Sequence, residues 1–262
     1  MAIKRAQDLL DELFITEPED IDLVAIAQSQ GATVEEKPLS GAEARIVGSG
    51  DDAIITVNSN SRLERRRFSI GHELGHWMYD RGKVNLSCTI DKQEQFYTGQ
   101  GSEPVANAFA AELLLPAGML MPRLAGKEPV LETIKGIAGT FKSSMTSTAS
   151  RIVEMRTHPL MVVCSTRSNR RWYKASTELA ELARPLKYLG KDTLAYKLFN
   201  DGGYDGAVED VDADAWIDHP DAGDYEVVES SFRVTDDLVV SVLWWKDASQ
   251  LRDLQRELED DD

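Results

Sequence analysis

Cysteine is nearly absent from this sequence: its 262 residues hold two, Cys88 and Cys164. Two thiols make no disulfide framework, which excludes the stapled secreted scaffolds and predicts a reducing home, the cytoplasm. No apolar run approaches the roughly 20 residues that a membrane-spanning helix needs. The first turns, Met1 to Leu10, carry charge and contain no long apolar stretch, so neither an export signal nor a membrane partner is expected. No internal repeat is visible. With 42% hydrophobic residues the chain can still bury a sizeable core, so disorder is excluded as well.

Charge is unevenly spent. Residues 1–121 carry 11 basic against 19 acidic side chains, residues 122–200 carry 14 against 6, and residues 201–262 carry 4 against 20. The net charge of −16 repels polyanions at long range, whereas the basic middle third attracts them. That middle makes a nucleic acid, single-stranded DNA among them, a candidate activator.

Apolar spacing predicts helices over 3–14 and 21–30, strands over 33–36, 44–47 and 53–57, and a long helix over 63–79. A polar loop follows over 82–102, then an apolar helix from Val105 to Leu115, stopped by Pro116. Shorter helices are expected near 130–141 and 144–156. Beyond Pro159 strands dominate, interrupted by the acidic, glycine-containing stretch 200–224, which reads as a mobile loop.

Histidine is scarce too, yet two of the four stand together as His72-Glu73-Leu74-Gly75-His76 inside the long helix. At about 3.6 residues per turn, His72 and His76 share one face, and their ring nitrogens can grip one tetrahedral Zn²⁺. Glu73 is rotated by about 100°. It misses the metal but reaches solvent beside it, where it can act as general base. A pair of histidines four apart also arises by chance on helix surfaces; its setting in an apolar helix directly after a strand favours the metal. A catalytic site wants a third protein ligand. The stretch from Glu103 to Pro116 offers Glu103 and Glu112, and the preceding loop offers Asp91 and Glu94. An oxyanion donor is left open among His158, His219, Tyr79 and Tyr97.

Arg67-Phe68 ahead of H-E-L-G-H, followed by E-x-x-A-N-x-F-A-A-E-L-L-L-P from Glu103 to Pro116, resembles the ImmA/IrrE family of bacterial metallopeptidases. The match is close over residues 45–120. The resemblance implies Zn²⁺ held by His72, His76 and Glu103, with Glu73 catalytic. One departure is Pro104, which pushes Glu103 out of helical geometry toward an N-cap position. Relatives can carry a cysteine between the two metal helices, so Cys88 is expected as an inhibitory ligand, a switch released when its loop moves. The resemblance also implies a substrate-binding edge strand before the metal helix, at Ile54, Ile55 and Thr56. The implied substrate is a helix-turn-helix transcriptional repressor, whose cleavage derepresses a stress, DNA-damage or anti-phage defence operon.

Residues 137–152 have a helix-turn-helix rhythm, with Ile137, Ala138, Phe141, Ala149 and Ile152 inward and Thr146, Ser147 and Arg151 outward. A helical hairpin that only shields the core gives the same pattern. Trp172, Trp216, Trp244 and Trp245 in the strand-rich tail suit a core or a ligand pocket. The expected fold class is α+β. A zincin-like metallopeptidase domain covers 1–125 and a helix-turn-helix-like segment 126–157. A C-terminal α/β sensor domain, GAF/PAS-like with an acidic tail, covers 158–262. The competing reading is a DNA-binding regulator or interaction protein whose zinc site is only structural.

Overall fold

The structure, a computed structural model, describes residues 2–80, 102–247 and 249–253. Its chain divides into two compact units, Met1–Arg123 with Ile137–Ser144, and Leu124–Gly136 with Met145–Asp262. No single helix among the described residues is long and apolar enough to cross a membrane.

In the first unit α1 (Ala2–Glu12) and α2 (Leu23–Ser29) precede a three-stranded sheet. The Asp22 carboxylate starts α2 by accepting from the Val24 and Ala25 amides at 3.0 and 3.2 Å. Gly31, with φ of 79°, ends it and turns the chain into β1 (Ala32–Lys37). Then come β2 (Ala44–Ser49), β3 (Asp52–Asn58) and the long α3 (Leu63–Asp80). Alternation is clear in β2, where Ala44 and Ile46 are buried while Arg45 and Val47 are exposed, so the sheet has one covered face. Trp77 of α3 packs on that face. Its indole donates to the Gln30 carbonyl at 2.8 Å, and Gly48 of β2 leaves it room: a Cβ there would come within 2.4 Å of the ring.

The strand order is β1-β3-β2, with β1 parallel and β2 antiparallel to β3. This corrects the expected position of the substrate edge. Ile54 pairs with both Thr33 and Val47, Ile55 with Val34 and Ile46, and Thr56 with Glu35 and Arg45. Both backbone sides of that strand are engaged, so Ile54, Ile55 and Thr56 lie in the middle of the sheet. The edges among the described residues are β1 and β2.

Helix α4 (Glu103–Leu114) lies on α3, and α1 on α4, around a core that includes Ile55, Leu74, Trp77, Phe109 and Leu113. Glu112 is buried rather than solvated. It accepts from Gln7 of α1 and from the Ala117 amide, both at 3.0 Å, and so ties α1 to the start of α5 (Ala117–Leu124).

Helix α6 (Leu131–Phe141), a turn with Lys142 at φ 51°, and α7 (Met145–Met155) follow. The expected outward face of α7 is corrected at one position. Arg151 is buried and ion-paired with Glu154, one turn on, and Glu154 also binds Lys174. Lys174 belongs to β5 (Arg170–Ala175), which pairs with β4 (Leu160–Ser165). Arg151 is therefore part of the clasp that holds α7 to this sheet, which takes its charge away from any outer surface.

The remaining elements of the second unit are α8 (Thr177–Leu182), β6 (Arg184–Pro185), α9 (Leu194–Asn200), β7 (Val208–Asp212), β8 (Ile217–Asp218), β9 (Glu226–Thr235) and β10 (Leu238–Trp244). Its five-stranded sheet is antiparallel in the order β5-β4-β10-β9-β7. The acidic stretch 200–224 is more ordered than its composition suggests: β7 adds to the sheet, and Ala213, Trp216, Ile217 and Ala222 anchor the rest in the core. Trp216 and Trp245 are core residues, whereas Trp172 and Trp244 are half-buried. Glu229 organises this interior. Its buried carboxylate accepts from the Leu194 and Ala195 amides at 2.9 Å, the Trp216 indole at 2.8 Å and the Ser231 hydroxyl at 2.6 Å. Burial raises its pKa above the usual carboxylate range, and these four bonds only partly offset that.

Candidate metal centre

His72, Glu73 and His76 lie in α3, and all three are buried. Their helix is crossed by α4 at two glycines. A Cβ on Gly75 would stand 3.0 Å from the Ala106 Cα and 3.1 Å from its carbonyl oxygen; one on Gly71 would stand 3.4 Å from Ala110. Without side chains there, α4 comes close enough to hand over Glu103. That residue opens α4, where Pro104 loses nothing because a first-turn amide has no helical acceptor.

The nitrogens converge. His72 Nε2 and His76 Nε2 are 3.0 Å apart, with their rings edge to face. The Glu103 carboxylate sits 3.3 Å from the first through Oε2 and 3.2 Å from the second through Oε1. Among the described residues these three form the group able to hold a metal ion, their donor atoms all within 4.8 Å of one another. Asn107, one helical turn beyond Glu103, places its Oδ1 2.8 Å from His72 Nδ1. This fixes the tautomer: Nδ1 carries the proton and donates to the amide oxygen, which leaves Nε2 as a lone pair aimed at the cluster. The sequence reading gave Asn107 no role; its signal was the four-residue step from Glu103.

Electrostatics point the same way. Burial, helped by the neighbouring His76, pulls the His72 pKa down to about 4, so the imidazole is neutral and free to ligate. Burial, and after it the Glu103 charge, pushes Glu73 up to about 8. Both Glu73 carboxylate oxygens are buried with no hydrogen-bond partner among the described residues. A carboxylate withdrawn from water and given no donor is costly unless something else occupies its surroundings. Two imidazole nitrogens and one carboxylate make a donor set that zinc takes while keeping a position open. The residues present fit the ion.

Residues 27–153 match the family model of Peptidase_M78, the IrrE N-terminal-like domain. That stretch resembles the peptidase domain of the ImmA/IrrE family. This chain is 30% identical over 113 residues to the radiation response metalloprotease IrrE of Deinococcus deserti, covering 43% of this chain and 40% of the relative. It is 29% identical over 126 residues to the protein of the same name from Deinococcus radiodurans, covering 48% of this chain and 38% of that one. The chain thus spans about two fifths of the length of the curated relatives that it matches. A solved Mycobacterium tuberculosis transcriptional regulator shares the fold, with a TM-score of 0.61 at 15% identity over 92% of this chain and 74% of that one.

The other candidates fall elsewhere. Cys88, Asp91, Glu94 and Tyr97 lie outside the described residues. Tyr79 packs edge-on against Phe109 under the Arg5 guanidinium. His158 and His219 belong to the second unit, the former against Trp244 and the latter buried beside Asp221.

Proposed function

We propose that the chain is a zinc-dependent endopeptidase that cleaves a helix-turn-helix transcriptional repressor in the cytoplasm. The observation that carries the hydrolytic part is the orphaned Glu73 carboxylate beside the His72, His76 and Glu103 cluster. A structural zinc site has no use for such a group. Zinc held by these three residues supplies Lewis acidity, enough to make water nucleophilic near neutral pH. Asn107 keeps His72 in the ligating tautomer. With a dication held there, Glu73 would stay a carboxylate despite its burial; it would take a proton from the attacking water and return it to the leaving amine. The buried setting excludes competing solvent around that transfer.

The substrate chain lies extended along β2, which among the described residues is an edge of the sheet beside the metal helix. The repressor reading rests on the family and on no contact within this chain; loss of the repressor would release a stress, DNA-damage or defence operon. The second unit acts as the sensor. Counted within its five-stranded sheet alone, the strands run 2-1-5-4-3, the order of GAF/PAS-type sheets, which supports that reading. A nucleic acid such as single-stranded DNA is the proposed trigger. The basic stretch 122–200 favours it, as do two cation–aromatic pairs there, Arg170 over Tyr173 at 4.9 Å and Lys187 over the exposed Tyr188 at 5.2 Å. The DNA-reading alternative is weakened by the inward Arg151.

The test is to incubate the purified chain and Zn²⁺ or Mn²⁺ with the helix-turn-helix repressor encoded beside it, alongside Glu73→Gln. Cleavage by the wild type alone supports the assignment. Cleavage by both proteins, or by neither, defeats it.

A further inference from the structure

Three consecutive arginines, Arg65, Arg66 and Arg67, stand near the start of α3, where the helix dipole disfavours positive charge. Two have structural employment: Arg66 is ion-paired with Glu36 of β1, and Arg67 donates to the Ile21 carbonyl at 3.3 Å. Arg65 is different. It precedes His72 by seven residues, two helical turns, and so lies on the face of α3 that carries the metal ligands.

The geometry of β2 places Arg65 along the substrate path. Arg65 Nε is 3.7 Å from Glu43, the residue just before β2, and Glu43 also accepts from the Ser61 hydroxyl. At the other end, Gly48 of β2 touches Trp77. From Arg65 to Trp77 the helix rises about 18 Å, and from Glu43 to Gly48 a strand advances about 17 Å. The two elements therefore run side by side in the same direction. Midway between His72 and His76 is about 13 Å from Arg65 along the helix, the length of roughly four extended residues. A chain paired antiparallel to β2 runs toward Glu43, so residues after the cleaved bond pass Arg65.

We propose that Arg65 is a specificity-determining residue that binds an aspartate or glutamate side chain three to four residues C-terminal to the cleaved bond. The ligand is a carboxylate on an extended peptide, and the guanidinium fork suits it. The Glu43 carboxylate only partly offsets the burial that disfavours the Arg65 charge, and it holds the side chain at the start of the edge strand. The Arg65 side chain keeps 24% exposure. The inference rests on the peptidase reading.

The experiment exposes a library of proteome-derived peptides to the zinc-loaded full chain and maps every cut by mass spectrometry. Wild type, Arg65→Ala, Arg65→Lys and Arg65→Glu are compared, with Glu73→Gln as the blank and thermal unfolding as the check on folding. The wild type should enrich acidic residues at the third or fourth position after the cut. On peptide pairs differing only there, the acidic member should be favoured about ten- to hundredfold, as expected for a charged hydrogen bond. Arg65→Ala should abolish the preference, Arg65→Lys should keep part of it, and Arg65→Glu should turn it toward lysine and arginine. Wild-type cutting that Glu73→Gln lacks, but without acidic enrichment there, overturns this inference alone. So does an enrichment that survives in Arg65→Ala. Absence of wild-type cutting above the blank overturns the peptidase reading and this inference with it.

Discussion

Gly71 and Gly75 look equivalent in the sequence, four residues apart on the metal helix, but they should respond oppositely to alanine. At Gly75 the new methyl meets backbone: 3.0 Å to the Ala106 Cα, 3.1 Å to its oxygen and 3.3 Å to its Cβ. Ordinary carbon contacts lie near 3.5–4.0 Å, so α4 must retreat by roughly 0.5–1 Å. Overpacking of this kind costs about 1–3 kcal/mol, against a helix-propensity gain of about 1 kcal/mol. The net loss of stability is thus at most about 2 kcal/mol, and the larger effect falls on the metal centre. Glu103 and Asn107 ride on α4 within a turn of Ala106, and a shift there opens their distances of 3.2–3.3 Å and 2.8 Å to the histidines. Zinc affinity should fall by about ten- to hundredfold, the range for a disturbed supporting shell. At Gly71 the methyl would lie 3.4 Å from the Ala110 Cα and Cβ, which is van der Waals contact. Gly71→Ala should therefore keep wild-type affinity and gain up to about 1 kcal/mol from propensity. Competition titration against a chelating dye measures affinity, and thermal unfolding measures stability. Equal zinc affinity in Gly75→Ala and wild type would refute the close-approach argument, and so would an equal loss in Gly71→Ala.

Three further perturbations probe the same physics. Asn107→Ala removes the acceptor for His72 Nδ1–H and should weaken zinc about ten- to hundredfold while leaving the far-ultraviolet spectrum unchanged, as dye competition will report. Stripping the metal should lower the unfolding temperature, and restoring it at 100 times its dissociation constant should return about 2.7 kcal/mol; a melting curve indifferent to zinc contradicts a folded-state site. Glu229→Gln removes a group whose pKa is raised on folding, a shift that favours the folded state below the ordinary carboxylate range and loses that contribution as pH rises through the folded pKa. Denaturant titrations from pH 4 to 8 should therefore show a shallower fall in stability for the variant, on a baseline lowered by about 1–3 kcal/mol because one amide cannot accept from four donors.

How far the sequence could be read depended on whether the evidence was local. His72, Glu73 and His76 declare themselves because four residues make one helical turn, a relation that tertiary packing leaves intact. Glu103 needed the family resemblance, since nothing between positions 76 and 103 says that α4 returns to α3; the clue in the chain was Gly71 and Gly75, whose missing side chains admit the crossing. Asn107 was one turn further along the same face and needed only the question of what orients His72. The edge strand was misjudged for a non-local reason. Ile54 alternates between faces as an edge or a central strand would, and only pairing with residues 32–37 and 44–49 makes it central. Arg151 was turned inward by a shared carboxylate, Glu154, which also pairs with Lys174 on β5. Residues 208–212 hid a strand behind exposed carboxylates, because an edge tolerates charge on its open side while its backbone pairs with β9.

The same distinction explains why the metal centre is the most legible part of the molecule. Its chemistry demands donors at fixed spacing on rigid helices, so that function is written in short-range pattern. What selects a substrate depends instead on which strand is left unpaired and which cation stands at its end. Those are properties of the whole sheet, and they become visible only once β2 is placed at the edge of the sheet among the described residues, beside α3.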